Sequence, residues 1–239
     1  MAMSLPRRIE PELLDDLAVT DPRAQRSRDD LRRIHLAMAT LSIMLRALDR
    51  ATASSPPRTI LELGAGDGSL MLRLARRRAA RWPGVNLTLL DRLDLVDATT
   101  LQGFDDVGWT PNVVAMDLFE WLERPSAAHW DIIIANLFIH HFSSDDLHHL
   151  LPEIAARCHV FFCCEPSRSA FPLAASHLVR LLGAGPVTRQ DAVLSVHAGF
   201  RAQELSAWWP AADKGAWRLR EYRAGLFSHG FLATHADVM

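Results

Sequence analysis

Apolar residues fall along this chain in two rhythms. Short runs that are apolar at nearly every position predict strands: TILEL at 59–63, VNLTLLD at 85–91, PNVVAMD at 111–117, WDIIIAN at 130–136 and HVFFCCE at 159–165. A strand without polar alternation is buried on both faces, as a parallel sheet covered by helices requires. Helical spacing fills 69–81 and 145–157, and a longer run, RSRDDLRRIHLAMATLSIMLRALDRA, precedes the first strand as one N-terminal helical segment ended by Ser54-Ser55-Pro56-Pro57. After Glu165 the pattern predicts a helix over 171–182, a Gly/Pro break over 183–186 and a helix over 201–209. WRLREYRAGLFSHGFLATH then reads as a hairpin around Arg223-Ala224-Gly225, adding an antiparallel edge to the sheet. The expected architecture is α/β, with a helical extension over residues 1–55 and a main domain over 56–239 carrying a lid at about 166–210.

Composition narrows the class. The chain has 239 residues, 49% hydrophobic and 23% charged, and a formal charge of -2. That is a globular composition with no electrostatic demand for nucleic acid. Arg73, Arg76, Arg77, Arg78 and Arg81 form a basic stripe on the first sheet helix, but no aromatic platform accompanies them, so the stripe reads as a solvated face. No run reaches the length of about 18 apolar residues that a membrane span needs, and Arg7 and Arg8 lead into acids rather than a signal-peptide core. The expectation is a cytoplasmic protein without a membrane partner. Cys158, Cys163 and Cys164 read as buried thiols, with redox activity of the adjacent pair as the minority alternative.

Candidate chemistry begins at LELGAGDGSL, where Gly64, Gly66 and Gly68 join the first strand to a helix. Glycine admits positive φ and close ligand approach, and the helix N-terminus offers unpaired N–H groups. A dinucleotide fingerprint would want glycine or alanine where Ser69 stands, and Asp67 would repel a pyrophosphate. An acid in the turn suits an amino-acid ligand bearing an α-ammonium, which favours S-adenosylmethionine. Asp91 closes the second strand, where a carboxylate can accept from a ribose diol, and Asp117 closes the third, within reach of an adenine amine. Turn formation and helix capping are the plainer reading of these acids.

Together, Glu62-x-Gly64-x-Gly66-x-Gly68, Asp91, Met116-Asp117-Leu118 and DIIIAN followed by LFIHHF resemble the ordered motifs of class I S-adenosylmethionine-dependent methyltransferases. The resemblance covers roughly residues 58–165. It implies a Rossmann-like, doubly wound sheet of seven strands, mostly parallel, with the last strand antiparallel, and S-adenosylmethionine as cofactor with S-adenosylhomocysteine as product. It assigns Glu62, Gly64, Ala65 and Gly66 to the methionine moiety, Asp91 and Arg92 to the ribose, Asp117 and Leu118 to adenine, and Asn136 to the region of the methyl group.

Transfer to a hydroxyl needs alignment and a base, because a phenol titrates near pH 10, at about three units above neutrality. IHHFSSDD is similar to the IHxWSD-type stretch of small-molecule O-methyltransferases, in which the histidine matching His140 is the base; His141 is the second choice. A core role is the alternative for either ring. His141, Asp145 and His149 share helical spacing that could suit a metal, but Ser143-Ser144-Asp145 reads as a helix cap that breaks the face, so no metal is expected.

The stretch after Glu165 is similar to the lid of bacterial methyltransferases acting on phenolic or polyketide-derived small molecules, and puts Arg168, His177 and Ser195 near a small-molecule acceptor. Arg33 and His35 on the N-terminal segment are expected to turn toward the cofactor. The same segment could instead pack on the sheet or on a second copy, making a homodimer. The leading reading is O-methylation of a secondary metabolite. Its rivals are N- or C-methylation with the histidines as positioners, a non-catalytic adenosylmethionine-binding subunit with an exposed apolar patch on the N-terminal helix or near Trp208-Trp209, and a nicotinamide oxidoreductase.

Overall fold

The structure, a computed structural model, describes residues 5–124, 128–210 and 215–238. Five strands run parallel: β1 (Thr59–Leu63), β2 (Asn86–Asp91), β3 (Thr110–Ala115), β4 (Trp130–Asn136) and β5 (Cys158–Pro166). β6 (Trp217–Ala224) and β7 (Ser228–His235) complete a sheet of seven strands in the order β3-β2-β1-β4-β5-β7-β6. β7 pairs antiparallel with both β5 and β6. The hairpin therefore inserts β7 into the sheet and leaves β6 as the edge, and it turns at Gly225 (φ 76) and the two residues after it. Burial explains the order, since β7 is buried along nearly its whole length whereas β6 alternates exposed and half-buried positions.

The helices are α1 (Leu13–Asp16), α2 (Pro22–Ala37), α3 (Thr40–Ala51), α4 (Ser69–Arg78), α5 (Ala98–Asp105), α6 (Leu118–Glu123), α7 (Ser144–Ala155), α8 (Ala170–Ser176), α9 (Pro186–Ala198) and α10 (Glu204–Trp208). The N-terminal run expected to be one helix is two, broken where Ala39 takes a left-handed φ of 54°. The break separates two jobs: α3 buries Leu41, Met44 and Leu48 against the sheet, while α2 crosses over the strand ends and packs on α9. α4 stops at Arg78, and the stretch after it buries Trp82. α5 and α6 are short and weakly patterned, which is why periodicity does not reveal them. The helix expected over 171–182 breaks into α8 and a 3-10 turn at Val179–Leu182. α9 starts at Pro186, the last residue of the expected break, and fills a stretch for which no element was expected, because proline at a first turn starts a helix instead of ending one.

Two apolar layers enclose the sheet. One centres on Met44, Leu48, Leu74 and Trp82, the other on Leu150, Phe161, Trp209 and Phe231. Trp209 is buried and stacks on Phe161, so the exposed Trp208-Trp209 patch of the non-catalytic alternative is not formed. The three cysteines are buried and free, and burial raises each thiol. The expected arginine stripe is divided: Arg73 faces the cavity below, Arg78 pairs with Asp49 at 2.5 Å, and Arg76, Arg77 and Arg81 are exposed. Among the described residues no helix is long and apolar enough to cross a membrane.

Candidate active site

Parallel strands end together, and β1 and β4 lie side by side where the strand order reverses, so their C-terminal loops open a crevice. A cavity of about 550 Å³ occupies it, lined from the sequence-predicted set by Glu62, Gly64, Ala65, Gly66, Asp91, Arg92, Asp117, Leu118, Asn136, His140 and His141. Gly64 and Gly66 both adopt left-handed φ, 67° and 55°. A Cβ on Gly64 would stand 2.2 Å from the Phe138 ring, whereas one on Gly66 would meet no protein atom within 4 Å. Gly66 thus presents bare backbone to the cavity.

Each acid at a strand end has a local task. Asp91 accepts from Gly66 N at 2.8 Å and from Leu93 N at 2.9 Å, tying the second strand's end to the glycine turn. Asp117 caps α6, accepting from Phe119 N at 2.8 Å. Arg92 is drawn to Asp15 at 2.9 Å. Asp67 accepts from Ser69 N and pairs with Arg32 of α2 at 2.6 Å, so the N-terminal extension is clamped to the turn. Glu62 differs. It is buried, its Oε2 has no partner among the described residues, and burial together with the charges of Asp67 and Asp91 raises it well above the carboxylate range. The Asn136 Oδ1 is likewise buried and unpartnered. Two orphaned acceptors beside bare glycine backbone fit a ligand that carries positive charge and N–H donors.

The two histidines follow β4 directly. Leu137, at a left-handed φ of 50°, turns the chain out of the sheet into the 3-10 turn Ile139–His141. There His140 is buried, with Nδ1 2.7 Å from Oε2 of Glu165. Glu165 lies at the end of β5, fully buried, and also accepts from Phe138 N at 3.2 Å and Ile139 N at 3.1 Å. One carboxylate thereby fixes both the turn and the ring it carries. Nε2 of His140 points toward Glu12, 3.5 Å from Oε1, without a hydrogen bond. Burial alone would lower this imidazole, but the Glu12 and Glu165 carboxylates outweigh it and lift the pKa to about 9. His141 moves the other way, lowered by burial and by the neighbouring His140 charge. The donor atoms of Glu12, His140 and His141 lie within 4.8 Å of one another, near enough to hold a cation.

Residues 5–21 cross the cavity as a strap. Arg7 donates to the carbonyls of Ala198, His140 and Phe142 at 2.8, 3.1 and 2.9 Å. Leu13 N and Leu14 N donate to the Asp191 carboxylate at 2.8 and 3.0 Å. Ser195 of α9 donates to Glu12. Glu12 and Glu165 are the site residues that sequence reasoning missed. Glu165 had a signal, an acid closing an otherwise apolar strand beside β4; Glu12, in an aperiodic segment, had none.

The structure scatters the expected substrate residues. Ser195 and His35 line the cavity, and burial lowers the His35 imidazole to about 4. Arg168 faces elsewhere: it is buried and spends its donors on Leu5 O, Gly199 O and Glu204. His177 is exposed, and Arg33 is exposed and pairs with Asp30. The expected helix cap at Ser143-Ser144-Asp145 takes the form of a capping box between Ser143 and Asp146, which keeps His141 off the α7 face that carries Asp145 and His149.

With this geometry in place, comparisons with known proteins fix the class. A family model described as "Methyltransferase domain" matches residues 32–220, and the chain belongs to that family. Its fold is that of the class I S-adenosylmethionine-dependent methyltransferases. Similar solved structures include the plantazolicin methyltransferase BpumL in complex with SAH, with TM-score 0.65, 12% identity, and coverage of 90% of this chain and 91% of that one. An O-methyltransferase family protein from Burkholderia thailandensis follows at TM-score 0.59 and 14% identity, covering 90% of this chain and 60% of that one. Magnesium protoporphyrin IX methyltransferase (ChlM) from Synechocystis PCC 6803 with bound SAH gives TM-score 0.53 and 13% identity, covering 93% and 91%. A search of curated proteins finds no match.

Proposed function

We propose that this chain is an S-adenosylmethionine-dependent O-methyltransferase of small molecules, with His140 as general base and a phenolic hydroxyl of a secondary metabolite as acceptor. The observation that carries the reading is the His140–Glu165 contact of 2.7 Å, which holds the proton on Nδ1 and leaves Nε2 toward the cavity. Bound S-adenosylmethionine would supply an activated methyl on a sulfonium and leave as S-adenosylhomocysteine. Gly64, Ala65, Gly66, Glu62 and Asn136 would hold the methionine end, Asp91 and Arg92 the ribose, Asp117 and Leu118 the adenine; all line the cavity, and the unspent acceptors of Glu62 and Asn136 support the methionine end of this assignment. Neutral His140 takes the hydroxyl proton at Nε2 as the oxygen gains its methyl group, and the carboxylates of Glu165 and Glu12 steady the imidazolium formed. His141, beside it at a ring separation of 4.3 Å, is the second choice for that base. The strap and α2 within residues 1–55 act as a flap, and residues 166–210 as a lid.

The carboxylates of Glu12, Asp15 and Glu165 around the histidine pair favour a second reading, methylation of an amine drawn in by their charge. Isothermal titration with S-adenosylhomocysteine, beside NADH and NADPH, tests the cofactor; turnover of phenols against amines of matched shape, in the intact protein and His140→Ala, tests the rest. O-methylation requires phenol turnover to collapse in the variant while S-adenosylhomocysteine still binds. Amine turnover that survives His140→Ala would replace it with the second reading.

A further inference from the structure

A second cavity, of about 330 Å³, lies under α2, α8 and α9 and shares Glu12, Leu14, Leu31, Leu137 and Ser195 with the first. The two are one crevice pinched by the strap, with Glu12 at the pinch and His140 Nε2 3.5 Å beyond it. The inner walls are side chains such as Ile34, Met38, Pro172, Val196 and Phe227. Among the described residues, no lysine, arginine or histidine lines it.

The few polar groups there are spent on the protein itself. Asp191 holds Leu13 N and Leu14 N, Ser195 holds Glu12, Ser27 and Thr188 share a hydrogen bond of 3.0 Å, and Ser176 donates to Leu173 O. Nothing remains to pair with a carboxylate, sulfate or phosphate, and the two acids would repel one. The rim carries Leu178, Leu181 and Leu182, exposed by 54%, 73% and 47%, an apolar threshold on the short 3-10 turn after α8.

Resting on the methyl-transfer reading for its chemistry, we propose that this chamber holds the body of the acceptor, which is an elongated, uncharged, apolar molecule whose hydroxyl, at one end, reaches Nε2 of His140 beside the Glu12 carboxylate. The chamber reads length and lack of charge; the histidine reads only the hydroxyl. An acceptor with an anionic group at its far end would have to strip that group of water with no donor to replace it.

The test uses 4-alkylphenols of increasing chain length, from phenol to 4-hexylphenol, and 4-hydroxyphenylalkanoates of matched length. Each is titrated calorimetrically into the full chain, with and without saturating S-adenosylhomocysteine, and assayed for turnover separately. The proposal expects Kd to fall about fourfold per added methylene until the chamber is full, since a buried methylene contributes a roughly constant increment, and expects the alkanoates to lose that gain. Ala192→Phe on α9 and Ala175→Phe on α8 each put a large side chain at a lining position of the chamber, and each should flatten the dependence on length. A flat Kd series in the intact protein, alkanoates binding as well as alkylphenols, or a slope unchanged in both variants overturns the chamber. Failure of S-adenosylhomocysteine to bind, or binding of alkylphenols without turnover, counts against methyl transfer and leaves the Kd series to judge the chamber independently.

Discussion

His140 and Glu165, on the turns and ends of adjacent strands, form a buried dyad with Nδ1 and Oε2 2.7 Å apart. Adjacent parallel strands in register, Asn136 opposite Cys164, deliver the two residues to one another. Glu165→Gln should lower kcat by about 10²- to 10⁴-fold, the range attached to a general base, because the amide cannot both hold the ring and accept from the turn. Affinity for S-adenosylhomocysteine should stay within a few-fold. Steady-state kinetics beside calorimetry checks this; loss of cofactor binding in step with kcat would make the dyad structural.

With Glu12 in place, His140 holds its proton up to about pH 9. A base works only when neutral, so kcat should climb with pH toward that value. Glu12→Gln removes one of the two carboxylates that favour the imidazolium, and the rising limb should move to lower pH. A limb that stays put in Glu12→Gln would show that the strap's acid does not set the state of His140.

His140 and His35 contribute to stability in opposite pH windows. His140 has its pKa raised on folding, so its contribution is complete below the unfolded value and is lost as pH rises through about 9. The raise corresponds to something of the order of 3 kcal/mol. His35, lowered by burial to about 4, works in reverse: its contribution is complete above the unfolded value and is lost as pH falls toward 4. Measured from about pH 5 to 9.5, the alkaline loss of melting temperature should shrink in Glu12→Gln and the acid loss in His35→Leu, each relative to the intact protein, with Asp191, raised by burial to about 6, opposing the His35 limb.

The parts of this architecture legible in the sequence are those fixed by local rules. A strand buried on both faces needs an uninterrupted apolar run, so WDIIIAN shows itself residue for residue as β4, and the glycines of the first turn advertise the positive φ they adopt. Long-range partnerships are not local. Glu12 reaches His140 because Asp191 of α9 pins the backbone of Leu13 and Leu14, and no spacing in the first 20 residues encodes that. Arg168 misleads for a related reason: a charged residue in a lid looks like a substrate contact until the carbonyls of Leu5 and Gly199 claim it.

Gly64 and Gly66 have the same backbone sign and different neighbours, and alanine should separate them. Both variants bear the strain of a side chain at positive φ, about 1 kcal/mol. Gly64→Ala adds a clash at 2.2 Å with the Phe138 ring, which leads directly into the His140 turn, so melting temperature should drop sharply. Gly66→Ala meets no protein atom, and its methyl group projects where the cofactor's backbone contacts are proposed. It should fold with a small loss of melting temperature and lose most S-adenosylhomocysteine affinity. Equal affinity loss with equal destabilisation would argue that the turn is only structural.

The strap is held by polar contacts to backbone more than by apolar burial, which makes it the element best suited to open. Asp191→Ala leaves Leu13 N and Leu14 N without acceptors, and Arg7→Ala frees the carbonyls of His140, Phe142 and Ala198. Removing a partner from a part-buried hydrogen bond costs about 1–3 kcal/mol, enough to raise the open population by roughly one to two orders of magnitude. Limited proteolysis within residues 5–21 should accelerate accordingly in both variants. Saturating S-adenosylhomocysteine should slow it again, since the strap residues Glu12, Leu14 and Asp15 line the cofactor cavity. Cleavage at an unchanged rate in Asp191→Ala would mean that the strap is anchored elsewhere, with Asp15 and Arg92 as the next clamp to cut.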